Sequence, residues 1–173
     1  MQPNIIKTSM SNGLIMGVLF SLNFLLSIQK NALFIFLSYF AISAIVIGMY
    51  RMAIRFRDTE CEGFISYRKA FSIILYTFFF AALVSSIVKY IYFQFISPIY
   101  LESMMKDSLK VLSDMHFDID KSAKEQMEST LKPASFSLQY IWVNVFVGSL
   151  VAFVMAFFIK KNAPISTENK EQE

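Results

Sequence analysis

Ser113, Asp114 and His116 bring a hydroxyl, a carboxylate and the chain's single imidazole together in the sequence. These are the groups of nucleophilic hydrolysis, in which the imidazole takes the hydroxyl proton and the carboxylate orients the ring. That constellation is a geometry assembled from separate elements, and adjacency along one segment does not create it. The three are therefore read as polar residues of a linking segment. Cys61 is the single cysteine, so no disulfide can form within the chain. A nucleophilic thiolate needs an activating environment that the sequence does not identify, and Cys61 is read as a small loop residue. Met104, Met105, Met115 and Met127 cluster around His116, and soft thioethers can bind Cu(I). The same methionines fall on the apolar faces of two short helices, which is the reading adopted. No phosphate-binding glycine loop, zinc-ligand spacing or dinucleotide fingerprint occurs. The expectation is a protein without enzymatic activity, cofactor or metal.

The elements that would have to position such groups are membrane helices. The chain is 55% hydrophobic with 19 phenylalanines, too apolar for an ordinary soluble domain of 173 residues. Its charges fall in blocks separated by long uncharged runs, at about 10–28, 32–52, 70–97 and 136–159. A bilayer core of ~30 Å needs about 20 helical residues. Inside lipid every backbone group must be satisfied within its own element, so the spans are helices or barrel strands. The apolar residues are continuous and do not alternate, which excludes a barrel. The first run follows Lys7 as a signal peptide would. Leu25-Leu26-Ser27-Ile28-Gln29-Lys30 lacks the small residues a cleavage site needs, so this run is read as an uncleaved first span. The predicted fold is all-α: a polytopic membrane protein with four transmembrane helices in a single domain, 1–161. Residues 162–173 form a polar tail, expected to be disordered and cytoplasmic.

Gln29-Lys30-Asn31 is short enough to force an antiparallel helical pair. The second link, about 53–69, is basic at both ends and acidic in the middle, with Gly63 marking a turn. The third, about 98–135, reads as an extracytoplasmic helical hairpin. Leu101, Met104, Met105, Leu109 and Leu112 make one apolar face, and Ile119, Ala123, Met127 and Leu131 make the other. Asp118 or Asp120 caps the second helix and Pro133 follows its end. Lys121–Glu125, Lys124–Glu128 and Glu128–Lys132 are spaced as ion pairs, each worth a few tenths of a kcal/mol. The two apolar faces are expected to rest on each other or on the mouth of the bundle, burying Leu101, Met105, Leu112 and Met127.

Orientation follows from lysine and arginine in the short loops. Lys7, Arg51, Arg55, Arg57, Arg68, Lys69, Lys160 and Lys161 fall on one side. The other side receives Lys30 and a hairpin whose five lysines are outnumbered by acids. Both termini are accordingly expected in the cytoplasm. Lys89 comes about 20 residues into the third span, at the outer boundary, where its stem would lie along lipid and its ammonium reach water. Trp142 is expected at the same interface. Ser9, Gly13, Gly17 and Ser21 recur every four residues in the first helix, and Asn144, Gly148, Ala152 and Ala156 do so in the fourth. Aligned by depth, the two stripes are expected to pair directly, Gly17 against Gly148, because small residues permit close approach in lipid.

Gly63-Phe64-Ile65-Ser66-Tyr67-Arg68-Lys69-Ala70-Phe71 leads into the third span, and Tyr90-Ile91-Tyr92-Phe93-Gln94-Phe95-Ile96-Ser97-Pro98 leads out of it. With the hairpin that follows, the chain resembles the bacterial four-helix membrane family catalogued only as a domain of unknown function, number 4199. The resemblance runs from about Gly13 to Lys160. It implies the same order of helices and an inner-membrane location, and it carries over no catalytic or ligand-binding residue. The function expected is that of a membrane scaffold or accessory subunit, contacting lipid and another membrane protein or a second copy of itself, and not nucleic acid. The rival is a small transporter or channel subunit acting as an oligomer. A continuous polar path through Lys89, Ser85 and Ser86 would favour transport, and a dry core the accessory role.

Overall fold

A computed structural model describes residues 4–29, 31–116 and 120–163. Lys30, Asp118, Ile119 and the expected tail from 164 onward lie outside the described residues. Among the described residues six α-helices follow in order: α1 (Ile5–Ser27), α2 (Ala32–Glu60), α3 (Tyr67–Ile91), α4 (Pro98–Asp114), α5 (Lys121–Thr130) and α6 (Pro133–Ile159). A π-helical turn, Tyr92–Ile96, extends α3 before Pro98 opens α4. Among the described residues no strand forms, only an isolated antiparallel bridge between Ile65 and Lys161.

The helix starts are chemically marked. The side chains of Asn4, Asn31, Ser66 and Asp120 accept hydrogen bonds from the first-turn backbone amides of α1, α2, α3 and α5. Proline occupies the first turn of α4 and α6, where a missing N–H costs nothing. Pro133 therefore starts α6, ahead of the expected start near Phe136. α2 ends at Glu60, well past Met52. Its charges mark where the helix leaves the apolar layer, but Ala53 and Phe56 remain buried on the helical register and keep the segment folded.

Among the described residues four helices are long and apolar enough to cross a membrane: Ile5–Ser27, Ala32–Glu60, Tyr67–Ile96 and Pro133–Ile159. The chain is a multi-pass membrane protein. α3 is the central helix, with α1 packed along one side and α6 along another, while α2 packs mainly on α1. The outer surface is apolar, with Leu14, Val18, Phe36, Phe40, Leu150 and Phe158 all exposed. Patches this extensive mark a surface made for lipid.

The small-residue stripes of α1 and α6 do not meet, contrary to expectation. A Cβ on Gly13 would strike Phe80 and the Thr77 carbonyl, and one on Gly17 would strike Val84, all on α3. A Cβ on Gly148 would strike the Phe78 ring, also on α3. Depth alignment paired small with small. The folded bundle pairs small with large: each glycine is a notch that receives a side chain of the central helix.

The basic end is tied together by polar contacts. Ile65 and Lys161 exchange backbone hydrogen bonds at 2.9 and 3.0 Å. Arg57 Nη1 donates to the Ile159 carbonyl at 3.3 Å, and Thr8 donates to Glu60 at 2.8 Å. At the opposite end Phe24, Phe93 and Leu101 form a second apolar cluster with Tyr92, Tyr100 and Phe136 around them. α4 leaves from this cluster, and α5 returns to the start of α6. Leu101 is buried, but Met105, Leu112 and Met127 are only half-buried. α4 and α5 converge near Pro98 and Pro133, around a cavity that Leu101, Met105 and Leu131 line. Their apolar faces do not close on each other farther out.

Candidate functional site

The buried face of α3 is written in its sequence. Ala70, Ile73, Ile74, Thr77, Phe78, Ala81, Ala82, Ser85, Ser86 and Lys89 are its buried residues, at spacings of three and four. Lys89 closes that series, and its side chain turns into the bundle, with 4% of its surface exposed. The expectation of a lysine lying along lipid is corrected. Depth along the helix was read from the sequence, whereas the face decides the environment. The register from Ala81 through Ser85 to Lys89 carried that signal.

The Lys89 ammonium lies 3.4 Å from the centroid of the Tyr140 ring on α6 and 5.4 Å from that of Phe24 on α1. Aromatic faces attract a cation through the ring quadrupole. Among the described residues no carboxylate lies within ion-pair distance of Lys89. An ammonium removed from water without a counter-charge is costly, and two rings offset only part of that cost.

Lys89, Tyr140 and Phe24 line a cavity of about 360 Å³, within the size range of ligand pockets. Asn23, Ser27 and Asn144 supply its other polar groups. The Asn144 amide donates to the Tyr140 carbonyl at 2.7 Å, and the Ser27 hydroxyl to the Phe24 carbonyl at 2.8 Å. Asn23 Oδ1 is buried without a partner. Ser85 and Ser137 have unpartnered buried hydroxyl oxygens as well, although Ser86 donates to the Ser137 carbonyl at 2.6 Å. Buried polar groups in folded proteins nearly always find partners, so such a concentration of exceptions requires an explanation.

The polar groups do not continue through the bundle. Toward the basic end the interior is filled by Met16, Met49, Ile73 and Ile74, each 1% exposed. Thr77 and Ser9, the polar residues among them, both donate to the Ile73 carbonyl, at 2.7 and 3.3 Å. The cavity ends blind on a dry core.

Other residues singled out from sequence fall elsewhere. Gly13, Gly17, Ser21, Gly148 and Ala152 are buried at helix contacts. Asn144 is half-buried and lines the cavity, so it does not reach Ser21. Arg51, Arg55, Arg68, Lys69, Lys160 and Lys161 are exposed at the basic end, and Arg57 is half-buried there. Lys160 lies over Phe157 and Lys161 over Phe64. Trp142 is 75% exposed on the outer face of α6. Cys61 sits in the turn after α2, where burial pushes its thiol pKa up and Lys69 only partly offsets that. A raised pKa keeps the thiol protonated near neutral pH. Ser113, Asp114 and His116 are exposed at the end of α4, and no hydrogen bond joins their side chains.

Four apolar helices, the third of them central, with two shorter helices inserted before the last, define a four-span membrane bundle. A family model described as a protein of unknown function (DUF4199) matches residues 11–161, and the chain belongs to that family. Nothing among curated proteins or solved structures matches the chain.

Proposed function

We propose that this protein is a non-enzymatic scaffold or accessory subunit of the bacterial inner membrane, with both termini cytoplasmic and α4–α5 on the outer side. In this reading α4 and α5 bind another membrane component, protein or lipid. The observation that carries it is the uncovered face of α4. Met104, Val111 and Met115 are 39%, 57% and 61% exposed, along one face of α4 and just past its end, beyond the contact that buries Leu101. A groove of about 450 Å³ runs along the same helix past Tyr100, Ser103 and Leu112. Apolar side chains on a helix outside the bundle are stabilised when a partner removes them from water. A photo-crosslinking residue at Val111, introduced in cells and followed by purification in mild detergent, tests the reading. One reproducible protein or lipid adduct is expected. Absence of any adduct would overturn it.

The cavity at Lys89 supports a second reading, a small transporter subunit that acts as an oligomer. A blind cavity in one copy would need a neighbouring copy or a rearrangement to become a path. Solute flux into proteoliposomes, dependent on Lys89, would select this reading over the first.

A further inference from the structure

We infer that the cavity beneath Tyr140 is a binding site for an amphiphile with an anionic head and one acyl chain, which enters from the bilayer between α2 and α6. Three features argue for it.

The first is an unanswered charge. Lys89 is 96% withdrawn from solvent, it faces the cavity, and among the described residues its ammonium meets only aromatic rings. A carboxylate or phosphate head would supply the counter-charge and a charge-assisted hydrogen bond. Asn23 stands at the same cavity with its amide oxygen unpartnered. A half-turn of that amide exchanges the oxygen for an NH₂ donor, so the residue can also serve an anion.

The second is the shape and lining. From Tyr140 to Val151 the α6 wall spans about 16 Å at the helical rise of 1.5 Å per residue. Its polar groups gather at the Tyr140 end, while Ile45, Val46, Val147 and Val151 line the remainder. A polar head with an apolar strip leading away is the outline of a chain-bearing acid, not of a small inorganic anion. The volume of about 360 Å³ suits one chain and not two.

The third is access. Ile42, Val46 and Val147 line the cavity and are also 45%, 40% and 47% exposed on the lipid-facing surface. The cavity therefore opens sideways between α2 and α6. An occupant with an apolar tail can arrive through lipid without crossing the dry core.

The site is separate from the α4 surface, so either reading can fail alone. The test is native mass spectrometry of the full chain, released from detergent after incubation with oleate, oleyl alcohol, monooleoyl lysophosphatidylglycerol or monooleoyl lysophosphatidylcholine. Oleate or lysophosphatidylglycerol should be retained about tenfold or more better than its uncharged or zwitterionic counterpart, because a buried lone charge discriminates strongly. Retention of oleate alone identifies a free fatty acid, and retention of lysophosphatidylglycerol identifies a lipid headgroup. K89M should abolish the preference and K89R should keep it. V147W, at the mouth, should block retention without touching the charge, and it decides the matter if K89M does not fold. Equal retention of oleate and oleyl alcohol, retention of neither anion, or an anion preference that survives both K89M and V147W would overturn the proposal.

Discussion

A glycine inside a membrane helix matters for the neighbour it admits. At Gly17 an added Cβ would lie 2.5 Å from Val84 Cβ and 3.2 Å from the Ala81 carbonyl oxygen. At Gly148 it would lie 2.6 Å from Phe78 Cγ. At Gly48 the only obstacle is the mobile tip of Met16, at 2.9 Å. Overpacking a tight contact costs about 1–3 kcal/mol, whereas a flexible methionine can turn aside. G17A and G148A should therefore lower the detergent melting temperature clearly, and G48A should leave it nearly unchanged. Equal effects at all three positions would mean that the notches are not specific. Gly63 differs: nothing lies within 4 Å of its missing Cβ, but its φ of +83° is left-handed. G63A should cost about 1–2 kcal/mol from backbone conformation alone. The two stripes at Gly13–Gly17 and Gly148–Ala152 were visible in the sequence. What receives them was not, because the knobs Phe78, Phe80 and Val84 look like any other apolar residues of α3 until the register between helices is known. Lys89 was legible to the same extent: its depth could be counted, but its environment depended on which face of α3 turned inward.

Helices of this chain differ in what holds them. α3 is held by burial along two sides, and α2 by one narrow stripe of Ser38, Ile45, Met49, Ala53 and Phe56. α5 has ten residues and none of them is buried. A helix so short is marginal in water without support. The spacing of Lys121–Glu125, Lys124–Glu128 and Glu128–Lys132 suggested ion pairs, but none of them closes to within 4 Å. Exposed side chains of this length gain little from being fixed in one geometry. What α5 does have is its cap: Asp120 Oδ1 accepts from the Ala123 amide at 2.7 Å and from the Ser122 hydroxyl at 3.2 Å. D120A should weaken α5 by about 1 kcal/mol and D120N much less. Amide hydrogen exchange should show faster exchange confined to 121–130 in D120A. Unchanged exchange would place the support of α5 elsewhere. The cap was readable from sequence as one of two aspartates, since capping is a local rule. The openness between α4 and α5 was not, since two amphipathic patterns state that faces exist but not what they cover.

At the scale of the whole molecule, the order of spans fixes which ends lie together. α1 begins and α6 ends at the same end of the bundle: Ser9 bonds the Ile73 carbonyl near the start of α3, and Lys161 pairs with Ile65 just before it. Arg51, Arg55, Arg57, Arg68, Lys69, Lys160 and Lys161 gather at that end. The four spans and this clustering were legible because hydropathy and charge blocks need no tertiary information. Clustering alone does not assign the end to a compartment. The assignment comes from the bias that retains lysine and arginine of short loops in the cytoplasm. The opposite end carries Lys30 and the five lysines of 98–135, six against the eight lysines and arginines of the basic end, so the bias favours the basic end. Reporter fusions at Glu60 and Lys121 should therefore give cytoplasmic activity at the first and external activity at the second. The reverse pattern would invert the orientation and put α4 and α5 in the cytoplasm. A further variant tests the cause. Replacing Arg51, Arg55 and Arg68 by glutamine removes exposed charges. It leaves Arg57, with its bond to the Ile159 carbonyl, in place. If those charges set the orientation, this variant should divide the Glu60 and Lys121 reporters between the two sides. If both reporters kept their original signals, the orientation would rest on Lys7, Arg57, Lys69, Lys160 and Lys161 or on the first span.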